Sequence, residues 1–186
     1  RRYDAEMLLS DHYDVSPRSI RKWVANLNLT KKPKGKVLLY DIETSRATFK
    51  MFWTGKQWVN TNQMVDYPQI ISVAWKYLGE DKMYSLTWDA EHSDQILVDE
   101  FLKHYNSADL VVGFNNDNFD NRWVQARAIY HGFELNNYVR SWDIIKEIKR
   151  IARLAGYSLK FLCEYYGVVK KHQHEGMIMW DKVEDG

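Results

Sequence analysis

Cysteine is almost missing. Among 186 residues there is one, Cys163, which excludes a disulfide framework and a cysteine-ligated zinc finger. With Phe161, Leu162 and Tyr165 around it, it reads as a packed structural thiol. Long apolar runs are missing too: nothing approaches the ~18–20 residues of a membrane helix. The opening Arg1-Arg2-Tyr3-Asp4 lacks the apolar core of a signal peptide. No repeat or low-complexity tract is present. The chain lacks an initial Met and stops at Glu184-Asp185-Gly186, so it is expected to be a fragment of something longer. Residues 15–40 contain no acid at all.

What is present fits a folded protein. A hydrophobic fraction of 45% with 15% aromatics is too rich for disorder. The expectation is a soluble, cytoplasmic, DNA-associated chain with one core of about 150 residues and a small appendage. The net charge of +1 hides an uneven division. Residues 1–14 carry −2, residues 15–40 carry +7 and residues 41–186 carry −4. A basic head on an acidic body suggests nucleic-acid contact at the head and a use for carboxylates in the body.

Residues 1–30 hold two helical patterns. Ala5, Leu8 and Leu9 form the first; Ile20, Trp23, Val24 and Leu27 form the second. Ser16-Pro17 starts the second, because serine caps and proline tolerates the first helical position. A short polar turn between them gives a helix-turn-helix layout, resembling that of many DNA-binding proteins, with 17–26 as recognition helix. Arg18, Ser19, Arg21 and Lys22, followed by Lys31, Lys32 and Lys34 of a basic linker over 31–36, are the candidate DNA contacts. Neutralising several phosphates would make such binding strongly salt-dependent.

The body, 37–186, alternates strands with helices. The run 37–42 predicts a central strand, followed by a hairpin in 49–59 around Thr54-Gly55-Lys56. Strands are expected over 70–77, 83–87 and 109–113. Helices are expected over 93–105, with Ile96, Leu97, Phe101 and Leu102 inward, and over 118–131, 144–154 and 158–166. This pattern is a mixed α/β sheet flanked by helices.

The chemistry starts at Asp41-Ile42-Glu43. Residues two apart in a strand share a face, so both carboxylates aim together at the end of a buried strand. Such a pair repels unless a cation holds it, and a hard divalent ion with oxygen ligands is the natural partner. The second element runs from Val111 to Asp120. A strand leaves through a Gly/Asn-rich turn, and Asp120 falls in the first helical turn, which the helix dipole favours on its own. Phe119 anchors that turn and orients the acid.

Asp41-Ile42-Glu43-Thr44 after an apolar strand resembles the first motif of the DEDD exonuclease superfamily. These are 3′→5′ exonucleases of ribonuclease H-like fold, including the proofreading domains of family B DNA polymerases. Asn116-x-x-Phe119-Asp120 is similar to the second motif. Ser158-Leu159-Lys160-Phe161-Leu162 with Tyr166-Gly167-Val168 resembles the helix before the third. The resemblance spans about residues 36–170. It implies a two-metal phosphodiesterase holding two Mg²⁺ or Mn²⁺ about 4 Å apart. Asp41 would bridge both ions, with Glu43 on one and Asp120 on the other. Asn116 and Phe119, with the basic loop residues Lys170, Lys171 and His172, are the implied substrate contacts. The family's third motif, a Tyr or His with Asp four or five residues on, does not follow Tyr166 and is expected beyond Gly186. Asp143 is the best substitute within the chain as a fourth ligand, its plain alternative being a helix N-cap.

His172, His174 and Glu175 do not make a closed zinc set; a basic loop near phosphate suits them better. Trp53, Trp58, Trp88 and Trp180 are candidate base-stacking residues. Trp75, Trp123 and Trp142 are expected in the core. The leading expectation is a metal-dependent DNA exonuclease with a helix-turn-helix head. The rivals are a DNA-targeting module without turnover and an endonuclease of the same fold.

Overall fold

A computed structural model of the chain describes residues 35–168 except 54 and 57, together with Ser16 and Arg18. The rest of the expected head and linker lies outside the described residues, as do 169–186. The candidate DNA contacts Ser19, Arg21, Lys22, Lys31, Lys32 and Lys34 are therefore not described, nor are Lys170, Lys171, His172 and Trp180.

The body is a mixed α/β structure. Among the described residues, seven strands occur in chain order: β1 Val37–Thr44, β2 Thr48–Phe49, β3 Met64–Asp66, β4 Ile70–Tyr77, β5 Tyr84–Thr87, β6 Leu110–Gly113 and β7 Arg140–Asp143. The α-helices described are α1 Gln95–Asn106, α2 Asp120–His131, α3 Ile144–Ile151 and α4 Leu159–Tyr165. Five strands form one sheet in the order β5-β4-β1-β6-β7, while β2 and β3 pair separately. β4 runs antiparallel to β1 and β5 antiparallel to β4. β6 lies parallel to β1, and β7 parallel to β6.

β1 is central because its residues alternate. Leu38, Tyr40 and Ile42 are buried while Asp41 and Glu43 are exposed. The buried set packs with Val73 and Trp75 of β4, Val111 of β6, Leu97, Val98, Phe101, Leu102 and Tyr105 of α1, and Val124 and Ala128 of α2. Each fully buried aliphatic or aromatic side chain here contributes about 1.5–3 kcal/mol. Tyr40 packs its ring against Phe101 at 5.1 Å and edge-on to Tyr105 at 6.0 Å, joining the central strand to α1. The opposite sheet face carries Leu39, Ala74 and Val112 around an open apolar cavity of about 690 Å³, which Asp41 also lines.

Several expectations shift. The hairpin arms are 48–49 and 64–66, with the Thr54-Gly55-Lys56 stretch inside a longer connection. Ile96 is 66% exposed, because α1 starts after Asp94 and its stripe falls on 97, 98, 101, 102 and 105. β7 is a strand that the apolar pattern does not announce. Trp142 on that edge strand is 49% exposed and leaves the expected core. Trp75 is buried, and Trp123 packs partly buried against the core. Cys163 is half-buried.

Candidate metal centre

β6 pairs with β1 only from Val37 to Leu39. Beyond Leu39, β1 continues to Thr44 with β4 on one side and no β6 on the other. An unpaired buried N–H is costly, and α2 supplies the partner. The Ile42 N–H donates to Asp120 Oδ1 at 3.1 Å. Asp120 therefore sits at the edge of β1, on the residue between Asp41 and Glu43. It is 3% exposed, whereas the two strand acids are exposed.

The electrostatics follow from that placement. Burial is the largest influence on Asp120 and pushes its carboxyl up to about 6. The charges of Asp41 and then Glu43 add to the rise, against the lowering effect of the Ile42 and Asp120 main-chain N–H groups. Burial also holds the Tyr40 phenol well above its ordinary value, with Tyr105, Asp120, Asp117 and Asp41 acting in the same direction.

The turn before α2 is built to fix Asp120. Asn115 adopts a left-handed backbone, φ 65°, a conformation that asparagine tolerates better than most residues. Its carbonyl accepts from the Asn118 and Phe119 N–H groups. The Asn116 carbonyl takes the Asn121 N–H at 2.8 Å. Gly113 is required here, since a Cβ would come within 2.7 Å of Asn116 Cβ. Asn116 is fully buried and its Nδ2 donates to Ser141 Oγ at 3.0 Å. Its Oδ1 is buried without a hydrogen-bond partner among the described residues. Phe119 is 39% exposed and meets Trp123 edge-on at 6.3 Å, leaving part of its ring open beside Asp120.

A polar network that no sequence motif announces braces the same turn. Asp117 accepts from Ser141 Oγ, from Asn121 Nδ2 at 3.1 Å and from Lys146 Nζ at 2.7 Å. Burial would raise the Asp117 carboxyl, but Lys146, Ser141 and Asn121 outweigh it and hold the value below the ordinary one. Tyr40 Oη donates to Asn121 Oδ1 at 2.5 Å, tying the network back to β1. Further along α2, Arg127 donates to both oxygens of Asp94 at 2.6 Å. Asp94 is fully buried; it also accepts the Ile70 N–H at 2.9 Å and contacts His131 Nε2 at 2.8 Å. Burial acts to raise Asp94, yet Arg127, the Ile70 N–H and His131 lower it overall. These bonds lock α2 to α1 and β4.

Asp143, the candidate fourth ligand, caps α3. Its Oδ1 accepts from the Ile145 N–H at 3.1 Å and the Asn115 N–H at 2.9 Å. Its Oδ2 is buried with no hydrogen-bond partner among the described residues. Asp143 lies level with Gly113 in the β6–β7 register, at the same end of the sheet as Asp41 and Asp120. The donor set at this end is all oxygen, the chemistry that Mg²⁺ and Mn²⁺ take. The buried Asp143 Oδ2 and the raised Asp120 carboxyl are both groups that a bound cation would stabilise. Among the described residues, however, no three Asp, Glu, His or Cys side chains stand close enough together to hold an ion as they are. The donor chemistry alone fits such an ion.

No protein-family model matches the chain, and no curated protein matches it either. Among solved structures it is similar to the family B DNA polymerase of the hyperthermophilic archaeon Pyrobaculum calidifontis, with a TM-score of 0.61 and 17% identity. The match covers 82% of this chain and 21% of the polymerase, so the chain spans about a fifth of that protein's length. At this identity the likeness establishes the fold, a mixed α/β sheet of the ribonuclease H-like kind.

Proposed function

We propose that this chain is a metal-dependent nuclease that hydrolyses phosphodiester bonds of DNA, removing nucleotides from a 3′ end. The observation that carries the proposal is the seating of the Asp120 carboxylate on the Ile42 N–H, between Asp41 and Glu43. Asp41 and Glu43 flank Ile42 on the central strand, and their charges contribute to the raised Asp120 carboxyl. The likeness to a DNA polymerase supports DNA as the partner. No helix among the described residues is long and apolar enough to cross a membrane.

In this reading Asp41, Glu43 and Asp120 hold two Mg²⁺ or Mn²⁺, with Asp143 as a further candidate. Such ions supply Lewis-acid activation of water and offset charge on the phosphate. The protein contributes position. The Ile42 N–H fixes the rotamer of Asp120, and the Asp117 network fixes the start of α2. The open part of the Phe119 ring offers an apolar surface beside Asp120 for a terminal base. Arg18, Ser19, Arg21, Lys22, Lys31, Lys32 and Lys34 would hold DNA phosphates, as would Lys170, Lys171 and His172.

The test is hydrolysis of a 5′-labelled oligonucleotide with Mg²⁺ or Mn²⁺. A ladder of single-nucleotide products is expected, lost in Asp41→Ala and Glu43→Ala. Unchanged hydrolysis in both variants would sink the proposal, and cleavage of circular DNA would replace exonuclease by endonuclease. The second reading is a DNA-targeting module without turnover. It is favoured by the absence of a closed metal-holding group among the described residues, and DNA binding with no hydrolysis would establish it.

A further inference from the structure

We infer that Asn121 is a positioning residue that holds the Asp120 carboxylate in register with Asp41 on β1. The inference rests on the reading of Asp120 as a metal ligand and adds the side chain that places it. Asn121 is the second residue of α2 and is 6% exposed. A buried amide is costly unless its hydrogen bonds are made.

This one is fully used. Asn121 Oδ1 accepts from the Tyr40 hydroxyl at 2.5 Å and from the Tyr105 hydroxyl at 3.4 Å. Its Nδ2 donates to Asp117 Oδ1 at 3.1 Å and to Ser141 Oγ at 2.9 Å. A primary amide offers two lone pairs and two N–H groups, so no capacity is left over. The partners come from β1, α1, the turn before α2 and β7. A single side chain therefore ties the start of α2 to each of them.

The tie to β1 is the one that concerns the acids. Tyr40 and Ile42 flank Asp41, and both are buried. Ile42 holds Asp120 through its N–H, and Tyr40 holds Asn121 through its hydroxyl. Two consecutive residues of α2 are thus fastened to the two neighbours of Asp41. With the Ile42 bond alone, the start of α2 could pivot about it; the Tyr40 bond removes that freedom. Packing does not call for an amide here. Tyr40 and Tyr105 belong to the apolar core, so a leucine in this place would bury apolar area with no polar group to satisfy. A fully satisfied polar network fixes one arrangement of a core, and the outer partners of a metal ligand act by fixing its orientation.

The experiment is amide hydrogen exchange by NMR on the full, metal-free chain, with urea unfolding and Mn²⁺ calorimetry beside it. Wild type is compared with Tyr40→Phe and with the double variant Tyr40→Phe/Asn121→Leu. The double variant replaces both partners of one bond by apolar groups, a change that is nearly neutral for stability. Asp117 keeps Lys146, and Ser141 keeps Asn116. Its urea midpoint should stay near that of wild type. Its Ile42 amide should exchange about 10-fold faster relative to the other β1 amides, by local opening. Its Mn²⁺ affinity should fall about 10-fold, the low end for loss of an outer partner. Tyr40→Phe keeps the ring contacts with Phe101 and Tyr105. It should give the same signature more weakly, and it carries the test if the double variant does not fold. A role in stability alone would lower the urea midpoint and leave the relative Ile42 exchange and the Mn²⁺ affinity unchanged, and that result overturns the inference. If the wild type takes up no Mn²⁺, the nuclease reading falls and the Ile42 amide decides the inference by itself. A faster Ile42 amide in a chain without nuclease activity upholds the positioning and defeats the nuclease, and the reverse pattern does the opposite.

Discussion

Asp120→Asn is expected to stabilise the protein at neutral pH. The wild-type carboxyl is raised from 3.8 to about 6, so the folded state binds its proton more tightly than the unfolded state does. By linkage, its contribution is greatest below pH 3.8, falls as pH rises to about 6, and is flat above that. The shift of about two pH units corresponds to about 3 kcal/mol at ~1.4 kcal/mol per unit. That is an upper value, because Asp41 and Glu43 are exposed and water screens their part of it. Asparagine keeps an oxygen for the Ile42 N–H and removes the charge. The melting temperature in metal-free buffer should therefore rise by up to ~6–12 °C at pH 7.5, at ~2–4 °C per kcal/mol for a chain of this size. The gain should shrink steadily as pH falls from 6 towards 4. Comparing melts of both proteins cancels the opposite trend from Asp94 and Asp117, whose lowered carboxyls lose stability on acidification. A melting difference independent of pH over that window, or a less stable variant at pH 7.5, would refute the reasoning.

Three further outcomes follow from the same geometry. Arg127→Met leaves Asp94 buried and without its bidentate partner, which should cost about 3–5 kcal/mol by urea unfolding. Gly113→Ala drives a Cβ to within 2.7 Å of Asn116; the expected loss is about 1–3 kcal/mol, again read by urea unfolding. Asp143→Ala removes the α3 cap and should cost about 1–2 kcal/mol in metal-free buffer, read by urea unfolding.

The central part of the body was legible from alternation. The limits of β4 match the apolar run, and the period of two in β1 put Asp41 and Glu43 on one face with Ile42 inward. β7 was not legible, because Arg140-Ser141-Trp142-Asp143 pairs, among the described residues, with β6 alone and has no apolar face of its own. The turn signal at Thr54-Gly55 misplaced the hairpin arms, since Thr48 pairs with Asp66 and Phe49 with Met64. At the site, the acids could be named but not their inequality. Asp120 is buried and bonded to Ile42 because β6 leaves β1 after Leu39, a register that no local pattern contains. The pairs Asp117–Lys146 and Asp94–Arg127 join residues about 30 positions apart in sequence. They emerge only when α2 meets α1 and the segment after β7. The full burial of Asn116 was likewise not legible in its motif.

Calorimetric titration of Mn²⁺ into the metal-free chain tests the central claim most directly. The account predicts saturable binding that is lost in Asp41→Ala and Glu43→Ala and weakened in Asp120→Asn. Wild-type binding that survives all three substitutions, or no binding by the wild type, would contradict it.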